Sequence, residues 1–216
     1  MPEEVQKHGF TWQNQILKNI YRVTEDELSL ISYTAKDDLP ANLNRLDNAI
    51  LSLKTTGNDN TVCMGDFLSF YKTIASGEKI HIVVLVYKQI GEYKCLKKLI
   101  EINLTGCLEL LFGDLNLSDI EELDKVVKDI PHGKRKQSEK LNTKLLNKKL
   151  RDKCACIIPN VKADSKKQRR LQCSFNKFQD FIKNNPEIII SQSITNQFRG
   201  GSIESKILSK SRSFNH

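Results

Sequence analysis

Ser52, Leu53 and Lys54 place a hydroxyl group and an ammonium group two residues apart in a stretch that predicts a β-strand. Alternate residues of a strand point to one face, so the side chains of Ser52 and Lys54 would share one side of a sheet. A lysine in this position can stabilise negative charge that develops on a phosphate. A nearby carboxylate would supply the oxygen ligands that Mg²⁺ prefers. This combination suits metal-assisted hydrolysis of a phosphate ester.

Three aspartates are candidates for the carboxylate. Asp47 precedes the strand, but on one straight strand it would lie ~23 Å from Lys54 and face the opposite side. Asp47 can therefore contribute only if the chain turns or bulges near Asn48. Asp38, at the end of the preceding predicted strand, and Asp66, at the start of the following predicted helix, are the alternatives.

A second set of residues, 162–172, is rich in Lys, Arg and Gln. Arginine can bind guanine, glutamine can bind adenine, and lysine binds phosphates. A two-stranded ribbon fits the major groove of DNA, so Gln168, Arg170 and Gln172, on one strand face, could read base edges. Arg169 would face away, toward the backbone or solvent. The candidate nucleic-acid-binding residues are Lys148, Lys149, Lys166, Gln168, Arg169, Arg170, Gln172 and Arg199.

Two further patterns leave alternatives open. Asp164-Ser165-Lys166 also spells Asp-x-Lys, although it falls in a turn between predicted strands rather than on a strand. Cys154, Cys156 and Cys173 could be zinc ligands, and buried reduced thiols are the other interpretation.

Hydrophobic patterns indicate the elements that would position these residues. Strands are predicted over residues 28–35, 49–55 and 80–89, and a helix with Asp66 as its N-cap begins at Phe67. A Lys-rich helix is predicted over 138–153, followed by two strands, 154–162 and 168–175, joined by a turn. The order of elements favours a mixed α/β or α+β domain.

Charge is distributed unevenly along the chain, whose formal net charge is +8. Residues 1–130 hold 14 basic and 20 acidic side chains, whereas residues 131–216 hold 20 basic and 6 acidic ones. This asymmetry favours a nucleic-acid partner, with an anionic membrane or a solvated basic face as alternatives. We expect a catalytic core over 1–130, a basic DNA-binding portion over 131–197 packed on that core, and a flexible basic tail over 198–216.

The longest apolar runs, such as residues 82–86, are far too short to cross a lipid bilayer. The first residues lack a basic segment followed by an apolar stretch, which predicts no secretory signal. We therefore expect a soluble, intracellular, cytoplasmic protein without a membrane partner.

The segment from Asn44 to Gly57, followed by Gly65-Asp66 and a helix, resembles the core of the PD-(D/E)XK nuclease superfamily, the restriction-endonuclease-like fold. In that family an Asp precedes or begins one strand, and a carboxylate-x-Lys lies on a strand that leads into a helix and a further central strand. The matching element here is 52–54, with Asp47 upstream, and the match covers roughly residues 10 to 105. The chain departs from the pattern at Ser52, where the family has an acidic residue, and a neutral oxygen weakens metal affinity.

The resemblance implies a central mixed sheet flanked by helices and a Mg²⁺-dependent endonuclease that cleaves double-stranded DNA at specific sites, similar to a type II restriction enzyme. Asp47, Ser52 and Lys54 would be catalytic, with Asp47 and Asp38 as metal ligands. A homodimer would suit cleavage of both strands of a palindrome. A non-catalytic nucleic-acid-binding protein and a nuclease of RNA or branched DNA are the alternatives.

Overall fold

Strand pairing, rather than order along the chain, divides the protein into two units. The computed structural model describes residues 11–31, 37–58, 60–131, 141–165 and 168–209. The first unit comprises Met1–Asp59, Lys79–Leu104 and Asn184–His216, and the second comprises Asn60–Glu78 and Thr105–Lys183. Helices and strands occur in both, so the predicted mixed α/β class is confirmed.

In the described part of the first unit, five strands form a mixed sheet. Strand β1 (Ile50–Thr56) pairs in parallel with β3 (Ile80–Ile90), which pairs antiparallel with β4 (Tyr93–Asn103). Strands β7 (Ile189–Ser193) and β10 (Lys206–Leu208) both pair antiparallel with β4. The strands predicted at 49–55 and 80–89 are confirmed. Both stretches are rich in β-branched residues and leucine, which favour strands.

One face of this sheet is covered by a helical segment, α1, over residues 11–20, whose second half is a π-helical turn, Ile16–Ile20. Residues four apart on α1 lie on one side of the helix and pack onto alternate residues of the strands. The resulting core includes Trp12, Ile16 and Ile20 from α1 and Leu51, Leu53, Val83 and Leu85 from the sheet.

Helix α2 (Glu25–Leu30) lies where the sequence predicts the start of a strand over 28–35. The Thr24 hydroxyl accepts a hydrogen bond from the Glu27 backbone N–H, and the Glu27 carboxylate accepts one from the Thr24 backbone N–H. This capping box, together with acidic residues in the first turn, stabilises the helix and outweighs the apolar pattern. Residues 32–36 lie outside the described residues.

In the described part of the second unit, β2 (Thr61–Asp66), β6 (Gln168–Asn176) and β5 (Ile157–Ser165) form an antiparallel sheet in that order. The predicted pair of strands near 154–162 and 168–175 is therefore confirmed. The helices of this unit are α3 (Phe67–Ala75), α4 (Leu108–Phe112), α5 (Leu117–Lys128), α6 (Leu141–Lys153) and α7 (Phe178–Asn184). Asp66 caps α3 as predicted, accepting a hydrogen bond from the Ser69 N–H. None of the helices that the structure describes is long and apolar enough to span a bilayer.

The two units divide the chain at other positions than the boundaries expected from the sequence at residues 130 and 197. Residues 60–78 join 105–183 because β2 pairs with β6, whereas β7 and β10 join β4. The first unit holds 15 basic and 13 acidic side chains, and the second holds 19 basic and 13 acidic ones. The two halves of the chain are interleaved by strand pairing, so the charge contrast between the units is smaller than the contrast along the sequence.

Residues 198–209 are folded, although the sequence predicts a flexible tail from residue 198. Strand β8 (Gln197–Phe198) pairs with β9 (Gly201–Ser202), and β10 adds to the first unit's sheet. Phe198, Ile203 and Ile207 are buried in the core beside α1. The sequence predicted a flexible tail because these three apolar residues are separated by Gly, Ser and Lys residues and show no strand or helix periodicity. Residues 210–216 lie outside the described residues.

We predict that Ile207→Ala lowers the free energy of unfolding by about 2–4 kcal/mol, because it removes a side chain that is only 5% exposed and leaves a cavity. The neighbouring Leu208 is 63% exposed, so Leu208→Ala is the matched control and should change stability by only about 0.5 kcal/mol. Urea denaturation followed by circular dichroism measures both values. Equal, small losses would show that this segment is not part of the core.

Candidate functional site

The open edge of β1 brings Asp38 to the element 52–54. Leu39 forms an antiparallel bridge with Leu51, so the register places Asp38 opposite Ser52. Oδ2 of Asp38 accepts hydrogen bonds from the Leu53 backbone N–H at 2.7 Å and from the Ser52 hydroxyl at 3.3 Å. Among the three candidate aspartates, Asp38 is therefore the one that the structure bonds to this element.

Gln13 of α1 completes the polar groups around Asp38. Its side-chain amide donates a hydrogen bond to Oδ1 of Asp38 at 2.8 Å. Gln13 also lines a cleft of about 50 Å³ together with Lys54 and Thr55, and apolar side chains form the rest of the wall. A cleft of this size has room for a few water molecules, and Gln13, Lys54 and Thr55 are the polar residues that line it. Sequence reasoning missed Gln13, because no local pattern links it to an aspartate 25 residues later.

The Asp38 carboxylate is oriented by these neutral donors, and no ion pair joins it to a lysine or arginine within the described ranges. A carboxylate offers about four lone-pair positions, of which three accept the bonds from Gln13, Ser52 and Leu53. The remaining position can accept a cation. Lys54 follows Ser52 on the same face, ~6.7 Å along the strand. A Mg²⁺ ion held by a single carboxylate would take its other oxygens from water and phosphate, as this ion commonly does.

Asp47 belongs to a separate buried group, which we call the Arg199 cluster and which consists of Asp47, His81, Glu101 and Arg199. The Arg199 guanidinium donates hydrogen bonds to both oxygens of Asp47 at 2.5 and 3.1 Å, and to both oxygens of Glu101 at 2.9 and 2.8 Å. Nδ1 of His81 lies 3.0 Å from Oε1 of Glu101 and 3.8 Å from Oδ2 of Asp47. The Arg199 cluster joins residues separated by up to 152 positions in the chain.

The Arg199 cluster and Lys54 lie at different points along β1. His81 is paired with Leu51, whereas Lys54 is paired with Val84, three residues or ~10 Å farther along β3. The chain does turn at Asn48, whose φ of 50° is in the left-handed region, as an Asp47 site would require. The turn directs the Asp47 carboxylate to Arg199, however, and not to the element 52–54.

The Arg199 cluster contains residue types that could hold a metal ion. The potential ligand atoms of Asp47, His81 and Glu101 lie within 4.8 Å of one another. Among the described residues, this is the group of three His, Cys, Asp or Glu side chains that lie so close together. Arg199 already places a positive charge between the two carboxylates, and Glu101 is fully buried. A metal would have to displace the hydrogen bonds from Arg199, so we interpret the cluster as a buried ion pair that fastens the segment around Arg199 to the sheet.

The pKa values in the Arg199 cluster follow from burial and charge. Burial by itself would raise the pKa of Asp47, but the hydrogen bonds and charge of Arg199 outweigh it and hold that pKa below its usual value. Hydrogen bonding to Asp47 and Glu101 in turn raises the pKa of Arg199. Burial, followed by the nearby Glu101 carboxylate, raises the pKa of Tyr21 far above its usual value. All of these shifts keep Asp47 and Arg199 charged, and Tyr21 neutral, at neutral pH.

The predicted base-reading residues that the structure describes lie on one face of the β5–β6 hairpin. Arg170 pairs with Lys162, and Gln172 pairs with Asn160, so these four residues form a polar patch that we call the hairpin face. Arg170 and Lys162 are exposed, and Gln172 and Asn160 are half-buried. The intervening residue Leu171 is buried on the opposite side.

The other predicted nucleic-acid-binding residues have diverse environments. Arg169 faces away from the hairpin face and donates hydrogen bonds to the carbonyls of Lys128 and Ile130, where it caps α5. Lys148 is exposed on α6, and Lys149 lies 4.0 Å from Asp119. Arg199 is only 18% exposed and pairs with two carboxylates, so the structure places it in an ion pair rather than on a binding surface. Lys166 and the side chains of Asp164, Ser165 and Gln168 lie outside the described residues.

The cysteines are free thiols. Sγ of Cys154 donates a hydrogen bond to the Leu150 carbonyl at 3.0 Å. Burial raises the pKa of Cys154 to about 12 and raises that of Cys156. Among the described residues, Cys154, Cys156 and Cys173 do not gather into a group of three close ligand atoms. Cys154 and Cys156, which are half-buried, are therefore protonated at neutral pH, and Cys173 is buried.

No family model, curated protein or solved structure matches the chain.

We predict that Arg199→Met lowers the free energy of unfolding by about 3–5 kcal/mol at pH 7, because Glu101 and Asp47 would lose the guanidinium that compensates their buried charges and would keep His81 as a neighbour. The deficit should shrink as the pH falls from about 7 to about 4, since unpaired buried carboxylates take up protons more readily. The wild type should instead lose stability as the pH falls. Because the pKa of Asp47 is lower in the folded protein than its unfolded value of 3.8, Asp47 stabilises the fold above pH 3.8, and this stabilisation is lost as the pH falls through the pKa of the folded state. Urea denaturation at several pH values measures both effects.

The matched control is Arg45→Met, because Arg45 pairs with Glu27 at the surface of the same unit and its side chain is 52% exposed. This variant should lose at most about 1 kcal/mol. A comparable loss for the two arginine variants, without a pH trend for Arg199→Met, would refute the buried ion-pair interpretation.

Proposed function

We propose that the protein is a Mg²⁺-dependent nuclease that hydrolyses phosphodiester bonds in double-stranded DNA, with its reaction centre at Asp38, Ser52 and Lys54. The observation that carries this proposal is the pairing of Asp38 with Ser52 and Leu53 at the edge of β1. Through this pairing an aspartate lies beside the element 52–54. That element is on β1, which precedes helix α3 and the central strand β3 in the chain and is parallel to β3. That arrangement supports the similarity to the PD-(D/E)XK nucleases.

Asp38 takes the role for which the sequence offered three candidates. The Leu53 N–H and the Gln13 amide fix the orientation of its carboxylate, so the carboxylate is ready to hold a cation without rearrangement. Mg²⁺ bound there would polarise the phosphate and lower the pKa of the attacking water. Asp47, which the sequence put forward, is already neutralised by Arg199 and serves the fold in this proposal.

Lys54 and the adjoining cleft supply the remaining functions. The Lys54 side chain shares the face of Ser52 on β1, and in this proposal its ammonium stabilises charge that develops on the phosphate and orients the water. The cleft that Gln13, Lys54 and Thr55 line together with apolar residues could hold that water. Ser52 provides a neutral oxygen in place of a second carboxylate. We therefore expect a weaker Mg²⁺ affinity than two carboxylates would give.

The hairpin face supports DNA as the substrate. Lys162 and Arg170 are directly opposite each other on β5 and β6. Like charges in this arrangement repel and destabilise the strand pair, and a phosphate bound between them relieves the repulsion. Gln172 and Asn160 are the next pair along the hairpin, and their amides can bind base edges. We propose further that the protein is a homodimer that cleaves DNA at specific sites, as restriction enzymes do.

A non-catalytic nucleic-acid-binding protein is the second candidate. The specific observation in its favour is that the Asp38 site has a single carboxylate bonded to the element 52–54 among the described residues. A site with so little negative charge could bind DNA phosphates through Lys54 without hydrolysing them. Metal-dependent cleavage distinguishes the two functions.

We predict that Asp38→Asn and Lys54→Ala each lower the rate of Mg²⁺-dependent cleavage of plasmid DNA by at least about 100-fold, because each removes a charge that acts on the transition state. The amide oxygen of the Asp38→Asn variant would still accept the Leu53 N–H bond, so the melting temperature should change little. Gel electrophoresis of supercoiled and linear plasmid, with Mg²⁺ or with EDTA, measures the rate. Discrete fragments would indicate site-specific cleavage.

Asp152→Asn and Lys125→Ala are controls with the same chemical changes at exposed helix positions, and both should cleave at the wild-type rate. Wild-type cleavage by Asp38→Asn would exclude this carboxylate as the metal ligand. Binding of DNA by the wild type without any cleavage would favour the non-catalytic alternative.

We predict opposite effects of Arg170→Glu on stability and on DNA binding. The substitution turns the repulsive Lys162 pair into an attractive one, so the free energy of unfolding should rise by about 0.5–1 kcal/mol. DNA affinity should fall, because the hairpin face would lose a phosphate-binding group and gain a repulsive charge. Thermal denaturation and fluorescence anisotropy with a labelled duplex measure the two effects. A variant that is both less stable and fully able to bind DNA would count against the hairpin face as a binding surface.

A further inference from the structure

Helix α6 divides its basic side chains between two flanks. Lys149 and Lys153 are one turn apart and both pair with Asp119 of α5, at 4.0 and 2.6 Å. A second line of basic side chains, which we call the helix stripe, consists of Lys144, Lys148 and Arg151. Its members follow one another after four and three residues, so they lie on one side of the helix. Neither the reaction centre nor the hairpin face includes the helix stripe.

The contact that Arg151 makes shows which neighbour the helix stripe lies beside. The Arg151 guanidinium donates a hydrogen bond to the Pro159 carbonyl of β5 at 3.0 Å. Among the described residues, β5 is an edge strand that pairs with β6 on one side. The helix stripe is therefore on the side of α6 that contacts β5, away from the flank that pairs with α5. A guanidinium has five N–H groups, so this bond positions Arg151 without neutralising its charge.

The two lysines of the helix stripe are exposed and uncompensated. Within the described ranges, no ion pair joins Lys144 or Lys148 to a carboxylate, and Asp152, one turn after Lys148, does not form one. Two lysines four residues apart on a helix repel each other and destabilise it. The chain thus neutralises the flank of α6 that faces α5 and leaves positive charge on the exposed side beside β5.

The hairpin face adds positive charge on the strand that Arg151 contacts. Lys162 follows Pro159 by three residues on β5 and pairs with Arg170 of β6. In the part of the chain that the structure describes, neither of these two side chains forms an ion pair with a carboxylate. Uncompensated cations on a helix and on the strand beside it attract polyanions.

The length of the helix stripe favours a chain of anions over a single one. At a rise of ~1.5 Å per residue, Lys148 is ~6 Å and Arg151 is ~10 Å from Lys144 along the helix axis. One strand of duplex DNA carries a phosphate for every ~3.4 Å of its axis, so it offers a phosphate to each member of the stripe. Phosphates repeat in the same way along every sequence, and contacts to them position a protein without reading bases.

We infer that the helix stripe binds the phosphodiester backbone of duplex DNA next to the segment whose bases the hairpin face contacts. The identity of the polymer rests on the proposed function. The stripe itself is a separate feature, because it belongs to the second unit, whereas Asp38, Ser52 and Lys54 belong to the first. It contributes affinity that is the same for every sequence, and the amides of the hairpin face contribute the preference among sequences.

The test compares charge removal with charge retention at the same two positions. Lys144→Gln combined with Lys148→Gln should weaken binding of labelled duplexes of unrelated sequence by the same factor. It should also make the slope of log affinity against log salt shallower by about 1.8, at about 0.9 for each lost phosphate contact. The Lys144→Arg, Lys148→Arg variant should keep the wild-type slope. Fluorescence anisotropy in EDTA measures binding without cleavage. The melting temperature of the glutamine variant should not fall, because the substitution removes a repulsive pair.

Lys125→Gln is the matched control for Lys148→Gln alone, because Lys125 is an exposed helix residue of the same unit. Its neighbours one turn away on α5 are acidic: Glu121, Glu122 and Asp129. The control should leave the slope unchanged. Equal changes of slope in Lys125→Gln and Lys148→Gln would show that net charge alone sets the affinity, which would overturn the helix stripe.

An unchanged slope in the double glutamine variant would also overturn the helix stripe, as would binding of the wild type to phosphatidylserine vesicles but not to duplex DNA. If the double glutamine variant loses affinity while Asp38→Asn and Lys54→Ala still cleave, the stripe stands and the proposed reaction centre falls. If the double glutamine variant binds normally while those two variants are inactive, the reaction centre stands and the stripe falls.

Discussion

The first unit depends on the ion pair that Arg199 makes with two carboxylates. Glu101 is in the middle of the sheet with no solvent exposure, and a buried carboxylate requires a charged hydrogen-bond partner. Arg199 provides it and reaches Asp47 with the same guanidinium. One side chain thus ties the C-terminal segment to β4 and to the turn before β1. The apolar residues Phe198 and Ile203, on either side of the β8–β9 turn, are buried in the core as a consequence.

The same constraint fixes the start of β1 and, through it, the proposed reaction centre. Asp47 is held at the beginning of the strand, so β1 lies beside β3 in one register, with Leu51 opposite His81. That register leaves the other edge of β1 open for residues 38 and 39. A shift of one residue would turn Ser52 and Lys54 to the opposite face and remove them from Asp38. The ion pair and the reaction centre are therefore linked through the backbone, although their side chains are separate.

Positive charge has a different distribution in space from its distribution along the chain. The excess in residues 131–216 suggested a single basic DNA-binding portion. In the structure, Arg169 caps a helix, Lys149 lies near Asp119, and Arg199 is inside an ion pair. Among the described residues, the hairpin face in the second unit is a surface where two basic side chains, Lys162 and Arg170, lie together on one face of a sheet. Proximity in a sheet depends on strand register, which a count of charges does not contain.

Local patterns in the sequence determined several elements correctly. The apolar runs of β1 and β3, the Asp66 cap of α3 and the β5–β6 hairpin all follow from interactions between residues close in sequence. The Thr24–Glu27 capping box was also a local signal, and attention to it would have predicted α2 instead of a strand. The Ser52-x-Lys54 spacing likewise fixed which two side chains share a face.

Only the tertiary structure decided which aspartate meets that pair and what the C-terminal residues do. Asp38 reaches Ser52 through a backbone bridge at residue 39, and Asp47 reaches Arg199 across 152 positions. Gln13 meets Asp38 because α1 packs on the sheet. Each of these contacts depends on long-range strand register and on compensation of a buried charge. Strand register and charge compensation between distant residues leave no periodic pattern in the sequence, because the partners are brought together by the packing of distant segments.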